Sequence, residues 1–258
     1  MQISVHMLLN VAVYSLLYIS TVVFIIGVWY QISDILKSPN PLVISQNPQS
    51  DKMSGVIRRM AGDLFLFTSL SKGDRYLWIN GLIMHVTLAI LMGFHLFGLV
   101  SYLAERGNYI HISPEIMGFL STIASIIGVI FIVSLIMLMI KRSNDEKSAY
   151  YTKFFDYFII LLIFMIGVTG VFMKISSFSP DLPAVKSFMI GAFTFHSKPV
   201  PLNMFFITHI ALVSILLIVF PFTKLIHAVG FFFSPTRNMP NNPREVRHIN
   251  VWDTNNGD

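Results

Sequence analysis

The sequence predicts an all-α integral membrane protein with five transmembrane helices, and two observations carry that reading. Of its 258 residues, 54% are hydrophobic and only 12% are charged, about half the charge of an ordinary soluble domain. The apolar residues also fall into long runs free of Asp, Glu, Lys and Arg, at 7–33, 76–104, 116–140, 157–173 and 199–223. Each run reaches or approaches the ~20 residues a helix needs to cross the hydrocarbon. They are too long, and alternate too little, to be barrel strands.

The N-terminal stretch MQISVHMLLN, which runs into the first span (7–33), has no basic region and no small-residue cleavage site, so no removable signal peptide is expected. Residues 51–70, DKMSGVIRRMAGDLFLFTSL, are patterned as a short amphipathic helix lying on a membrane face. The second span is 76–104, and the third, 116–140, is opened by Pro114 and Glu115. The fourth, with its flanks, is 155–174. The segment 174–202 holds Pro180, Pro183, Pro199 and Pro201 and reads as an ordered loop. The fifth span covers 202–233, continuing past Lys224, with Pro221 placed to kink it. Residues 1–233 thus form one membrane domain, and the polar tail 234–258, containing SPTRNMPNNPREVRHINVW, reads as extended. Trp29, Tyr30, Tyr76, Trp78 and Tyr102 sit at span ends, where aromatic rings anchor helices at the interface.

Charge sets the expected direction. Of 18 Lys and Arg, all but Arg106, Lys174, Lys186 and Lys198 lie in 34–75, in 141–153 or from Lys224 onward. Positive loops stay inside, so the N-terminus is expected outside and the C-terminal tail in the cytoplasm. The net charge of +5 is then a matter of topology and calls for no nucleic acid. The chain has no cysteine, which excludes disulfides, thiolate zinc sites and all-cysteine iron–sulfur clusters. Any redox chemistry must belong to a cofactor held by other ligands.

Four of the eight histidines lie within spans: His85 and His95 on the second, His209 and His227 on the fifth. The two spans run in opposite directions, so depth pairs His95 with His209 and His85 with His227. On one continuous fifth helix, 18 residues make about five turns and put His209 and His227 on one face. Ten residues leave His85 and His95 roughly 80° apart. The rises differ, about 15 Å against about 27 Å, and a kink at Pro221 would absorb the difference. A single buried histidine is most simply an interhelical hydrogen-bonding group. Four of them, matched in depth on two antiparallel helices, fit the axial ligands of two haem b groups, one near each face. Gly81, Gly93 and Gly98 would let a flat macrocycle approach the second helix, or serve close helix packing. A proton or solute pathway, as in a transporter or an assembly protein, is the reading from another class; the near absence of carboxylates within the spans weakens it.

Two stacked haems make an electron wire, and a quinone exchanging electrons at its outer end must exchange protons too. His111 and Glu115 are the candidate groups there, against the plainer reading in which both are solvated. His196 is similar, and His6 and His248 read as ordinary exposed residues.

The pattern His85-x9-His95 with His209-x17-His227, in a five-helix chain, resembles the gamma subunit of respiratory nitrate reductase. That resemblance implies ligation of two b haems by the four histidines, a quinol site beside the outer haem and a cytoplasmic iron–sulfur partner. The family's lysine near the quinol pocket has no counterpart in 103–115. The tail, FFFSPTRNMPNNPREVRHINVW, looks more like the cytochrome b subunit of the membrane complex associated with dissimilatory sulfite reductase, and like its relative in heterodisulfide reductase. This closer resemblance implies a subunit of a larger oxidoreductase in the bacterial cytoplasmic membrane, incomplete as an enzyme alone and serving sulfur metabolism. Its implied partners are a heterodisulfide-reductase-type iron–sulfur subunit on the cytoplasmic side, a multihaem cytochrome c and an iron–sulfur subunit outside, and a second membrane subunit.

Overall fold

The computed structural model describes residues 2–38, 49–107, 112–174 and 178–242. All regular elements among them are helical: α1 (Gln2–Lys37), α2 (Met53–Phe65), α3 (Thr68–Ser71), α4 (Arg75–Arg106), α5 (Pro114–Asn144), α6 (Glu146–Tyr151), α7 (Phe154–Phe172), α8 (Leu182–Phe193), α9 (Met204–Val219), α10 (His227–Gly230) and α11 (Pro235–Asn238), with short 3-10 turns between α9 and α11. Among the described residues, five helical stretches are long and apolar enough to cross a membrane, Val5–Lys37, Arg75–Glu105, Glu115–Asn144, Phe154–Phe172 and Met204–Phe222. The first four fall on the expected spans, and the fifth ends at Phe222 where 233 was expected. The chain divides into two compact units, Met1–Phe24 with Ile79–Val219, and Ile25–Trp78 with Phe220–Asp258.

In the first unit α7 packs against both α5 and α9. Small residues permit that approach: a Cβ on Gly128 would stand 2.7 Å from Val171, and one on Gly167 would stand 3.3 Å from Phe131 and Ile132. The 178–203 segment is ordered, as expected, but it contains a helix. LPAVKSFMIGAF, with Pro183 in its first turn, forms α8. Phe188 of α8, Val13 and Tyr14 of α1, Val200 and Phe206 make one buried apolar cluster. Tyr14 fixes the return of the chain, its hydroxyl donating to Lys198 O at 3.1 Å and accepting from Lys198 N–H at 2.9 Å. Tyr18 donates to Ala192 O, and Asn10 Oδ1 accepts from Val200 N–H.

In the second unit the amphipathic segment is helical over α2, which turns into α3 through Phe67 at a left-handed φ of 48°. Asp63 secures that turn. Its Oδ1 accepts from the Thr68 hydroxyl at 2.6 Å, the Ser69 amide at 3.0 Å and the Ser69 hydroxyl at 2.7 Å. Burial alone would raise the Asp63 carboxyl, but these bonds and the Arg59 charge outweigh it and hold the group below the usual carboxylate range. α11 packs on α2, where Arg59 Nη2 donates to Arg237 O at 2.8 Å and Gln49 Nε2 donates to Met239 O at 2.9 Å. So the tail, expected to be extended, begins with a short helix docked on α2; its remainder, including His248, lies outside the described residues.

The fifth span corrects the sequence reading. α9 ends at Val219, Phe220–Phe222 is a 3-10 turn, and Thr223 is extended at φ −124°, ψ 176°. Pro221 has no N–H for the helix ladder, and its ring obstructs the preceding turn. The path therefore breaks where a kink was expected, and residues up to 233 continue as short helical pieces. His209 and His227 do not share one continuous helix, so the five-turn argument for a common face does not hold.

Candidate haem site

α4 and α9 bring His95 and His209 together. Their ring centroids are 6.4 Å apart and their planes are parallel to within 5°. Each ring is oriented by a backbone carbonyl. His95 Nδ1 bonds Leu91 O, one turn earlier on α4, at 2.7 Å, and His209 Nδ1 bonds Ile166 O of α7 at 3.1 Å. A carbonyl only accepts, so Nδ1 is the protonated nitrogen in both rings and Nε2 keeps the lone pair that binds a metal. Thr169 adds a contact from α7. Its hydroxyl lies 3.0 Å from His209 Nδ1 while donating to Met165 O or Ile166 O, each at 3.0 Å.

Two imidazoles bonded to one metal ion at about 2 Å each place their ring centres roughly 6 Å apart. The His95–His209 separation meets that requirement. Among the described residues no three His, Cys, Asp or Glu side chains gather as ligands for a bare ion. A pair of axial imidazoles suits a metal that brings its other ligands with it, as haem iron does. α4 is also the least covered span, with 6% of its most apolar stretch buried. A Cβ on Gly81 or on Gly98 would meet no atom within 4 Å; around α4 Gly81 lies about 40° from each histidine and Gly98 about 60° from His95. These residues fit the group.

The remaining sequence candidates separate. Gly93 lies roughly 160° around α4 from His95. It lines a wholly apolar cavity of about 350 Å³ with Ile90, Phe94, Phe97 and Leu120, so it serves a different face from the histidines. His85 Nδ1 bonds Gly81 O at 2.7 Å, and His227 Nδ1 bonds Lys224 O at 2.7 Å. Both therefore have the tautomer found in the first pair, a feature the sequence did not announce. His85 belongs to the first unit and His227 to the second. Glu115 sits in the first turn of α5, where Ser113 caps the helix by accepting from Ile116 N–H, so a helix-start role is visible for it. His111 lies outside the described residues. His196 is exposed, with Nδ1 bonded to Thr194 O at 2.7 Å, and His6 is exposed on α1.

The Hdr-like menaquinol oxidoreductase cytochrome b-like subunit of Archaeoglobus fulgidus is 30% identical over 274 aligned positions, covering 92% of this chain and 81% of the relative. The protein of the same description in Archaeoglobus profundus is 28% identical over 280 positions, covering 94% and 82%. The profile of the nitrate reductase gamma subunit family matches residues 53–246, a stretch that includes all four span histidines. The chain is a member of the nitrate reductase gamma subunit family.

Proposed function

We propose that this chain is the di-haem b subunit of a membrane oxidoreductase, oxidising a membrane quinol and passing the electrons to a cytoplasmic iron–sulfur subunit of heterodisulfide reductase type. The observation that carries the reading is the parallel His95–His209 pair at 6.4 Å, with Nδ1 of each ring committed to a carbonyl. His85 and His227 are assigned the second haem by depth order in antiparallel spans. The haem irons, when bound, supply one-electron steps between a two-electron quinol and an iron–sulfur chain. The protein holds the imidazoles in one tautomer, fixes their planes and keeps the surroundings apolar, which sets the potential of the metal. The basic side of the membrane, with Lys37, Arg58, Arg59 and Arg237, is assigned to the cytoplasm.

The Archaeoglobus relatives are described as subunits of an Hdr-like menaquinol oxidoreductase, which supports menaquinol as the reductant and a heterodisulfide-reductase-like assembly as the setting. Within that setting we assign this subunit to sulfur metabolism, in a complex associated with sulfite reduction, with partner subunits on both faces. The test is the reduced-minus-oxidised visible spectrum of the purified protein, with haem counted per chain. A b-type α-band with about two haems per chain is expected. A colourless protein would overturn the reading in favour of a transporter or an assembly role.

A further inference from the structure

Seven residues after His95, about two turns further along α4 and on nearly the same face, stands Tyr102, with Glu105 one turn beyond it. Between them Gly98 leaves that face open, with no atom within 4 Å of where a side chain would begin. Over this end of the helix lies α8. Its Lys186 places Nζ 3.5 Å from Glu105 Oε2 and 5.5 Å from the centre of the Tyr102 ring. The Lys186 and Glu105 side chains are 16% and 25% exposed, so the pair is mostly buried but keeps an exposed edge at the end of the span. The two residues are 81 positions apart, and Lys186 reaches Glu105 from α8.

An ion pair at a span end has a plain structural use, to fasten α8 to α4. Its placement adds something. The strip from His95 over Gly98 to Tyr102 and Glu105 is roughly 15 Å long, is floored by a residue without a side chain, and ends in a carboxylate whose counter-ion is a flexible ammonium. A flat dihydroxy aromatic ring lying on Gly98 would have an electron acceptor at one end and a proton acceptor at the other.

We propose that Glu105 is the proton acceptor of the quinol site and that Lys186 positions it. This rests on the quinol-oxidising function proposed above. The quinol loses two electrons and two protons to become the quinone. The electrons would leave singly to the group that His95 and His209 would hold, with the iron–sulfur partner as their acceptor. A quinol O–H bond breaks and its proton goes to Glu105, forming the neutral acid, which releases it to water at the exposed edge; the second proton takes the same path. When Glu105 is neutral, the Lys186 ammonium loses its counter-ion and can donate to the product oxygen.

The experiment uses membranes carrying the assembled complex, with menadiol, a naphthoquinol, as reductant and dithionite as control. Glu105→Gln should slow menadiol-driven haem reduction by roughly 100-fold, with dithionite-reducible haem unchanged. Equilibrium binding of a fluorescent hydroxyquinoline N-oxide, a quinol analogue, should stay near that of the unaltered protein, and Glu105→Asp should restore much of the rate. Lys186→Gln should weaken analogue binding and lower the rate, while Lys186→Arg recovers both. Menadiol reduction of Glu105→Gln at the original rate, or rate and analogue binding falling together, would overturn the proposal. If Glu105→Gln fails to accumulate, the Lys186 pair decides by the same measurements, with unaltered rate and binding in Lys186→Gln counting against it. A missing b-type spectrum in the unaltered complex would sink the haem reading instead.

Discussion

Gly27 of α1 lies directly against the ring of Pro221, so that a Cβ at position 27 would stand 2.6 Å from Pro221 Cγ and 2.7 Å from Pro221 Cβ. Pro221 is fully buried at this contact. The proline that ends α9 is thus locked in place by a residue with no side chain. A rigid pyrrolidine cannot swing aside as a long flexible chain would.

Gly27→Val should therefore be destabilising even though valine suits a membrane helix. Overpacking of this kind costs about 1–3 kcal/mol. The expected outcome is a lower melting temperature in detergent, followed by tryptophan fluorescence. A valine variant with an unchanged melt would show that the two segments separate without penalty.

Asp63 makes the α2–α3 turn sensitive to acid. Its carboxyl is held below the ordinary range by the Thr68 and Ser69 bonds and the Arg59 charge, against the opposing effect of burial. A group whose folded pKa is depressed contributes stability above the unfolded value, and that contribution is lost as pH falls through the folded value. Limited proteolysis of 66–74 should accelerate on acidification below the ordinary carboxylate range. Asp63→Asn should be cleaved faster at neutral pH and lose this pH dependence, and an Asn variant with the original profile would count against the assignment.

The spans were legible in the sequence because crossing a bilayer imposes a length and an apolarity on any helix, and charge-free runs record both. The break at Pro221 was not, since a proline in a span bends or ends the helix according to what packs on it, here Gly27, about 190 residues away. α8 was hidden by its flanking prolines, which read as loop punctuation although Pro183 opens the helix. With α8 hidden, the meeting of Lys186 with Glu105 was hidden too, and His111 and Glu115 were the proton-exchange candidates the sequence offered. The histidines themselves were visible by spacing. Their orienting bonds were not, because backbone carbonyls leave no mark in sequence. Tyr102, expected as an interface anchor, lies under Lys186 in the structure.

Thr169 tests how closely the His209 ring is controlled. It is a buried polar side chain on α7, and its hydroxyl touches Nδ1, the nitrogen that fixes the tautomer. Loss of an orienting partner around a metal ligand costs about 10–100-fold in affinity or activity. Thr169→Val keeps the volume and removes the hydroxyl, leaving Ile166 O as the acceptor. Haem assay and redox titration should show one of two b-type components weakened or shifted in potential, with the other unchanged. Equal effects on both components would place Thr169 outside the His209 site.

The pairing of ligands makes the sharpest demand on the proposed function. His95 and His209 face each other within the first unit, so removing either should abolish one and the same haem, because a single axial imidazole leaves the iron with an open position and a loosely held porphyrin. His95→Ala and His209→Ala should thus lose identical components of the low-temperature α-band, and His85→Ala and His227→Ala should lose the other. Haem per chain should fall from about two to about one in each variant. A shared loss in His85→Ala and His209→Ala would contradict the depth order, since those two histidines would then have to lie at the same height in spans that run in opposite directions.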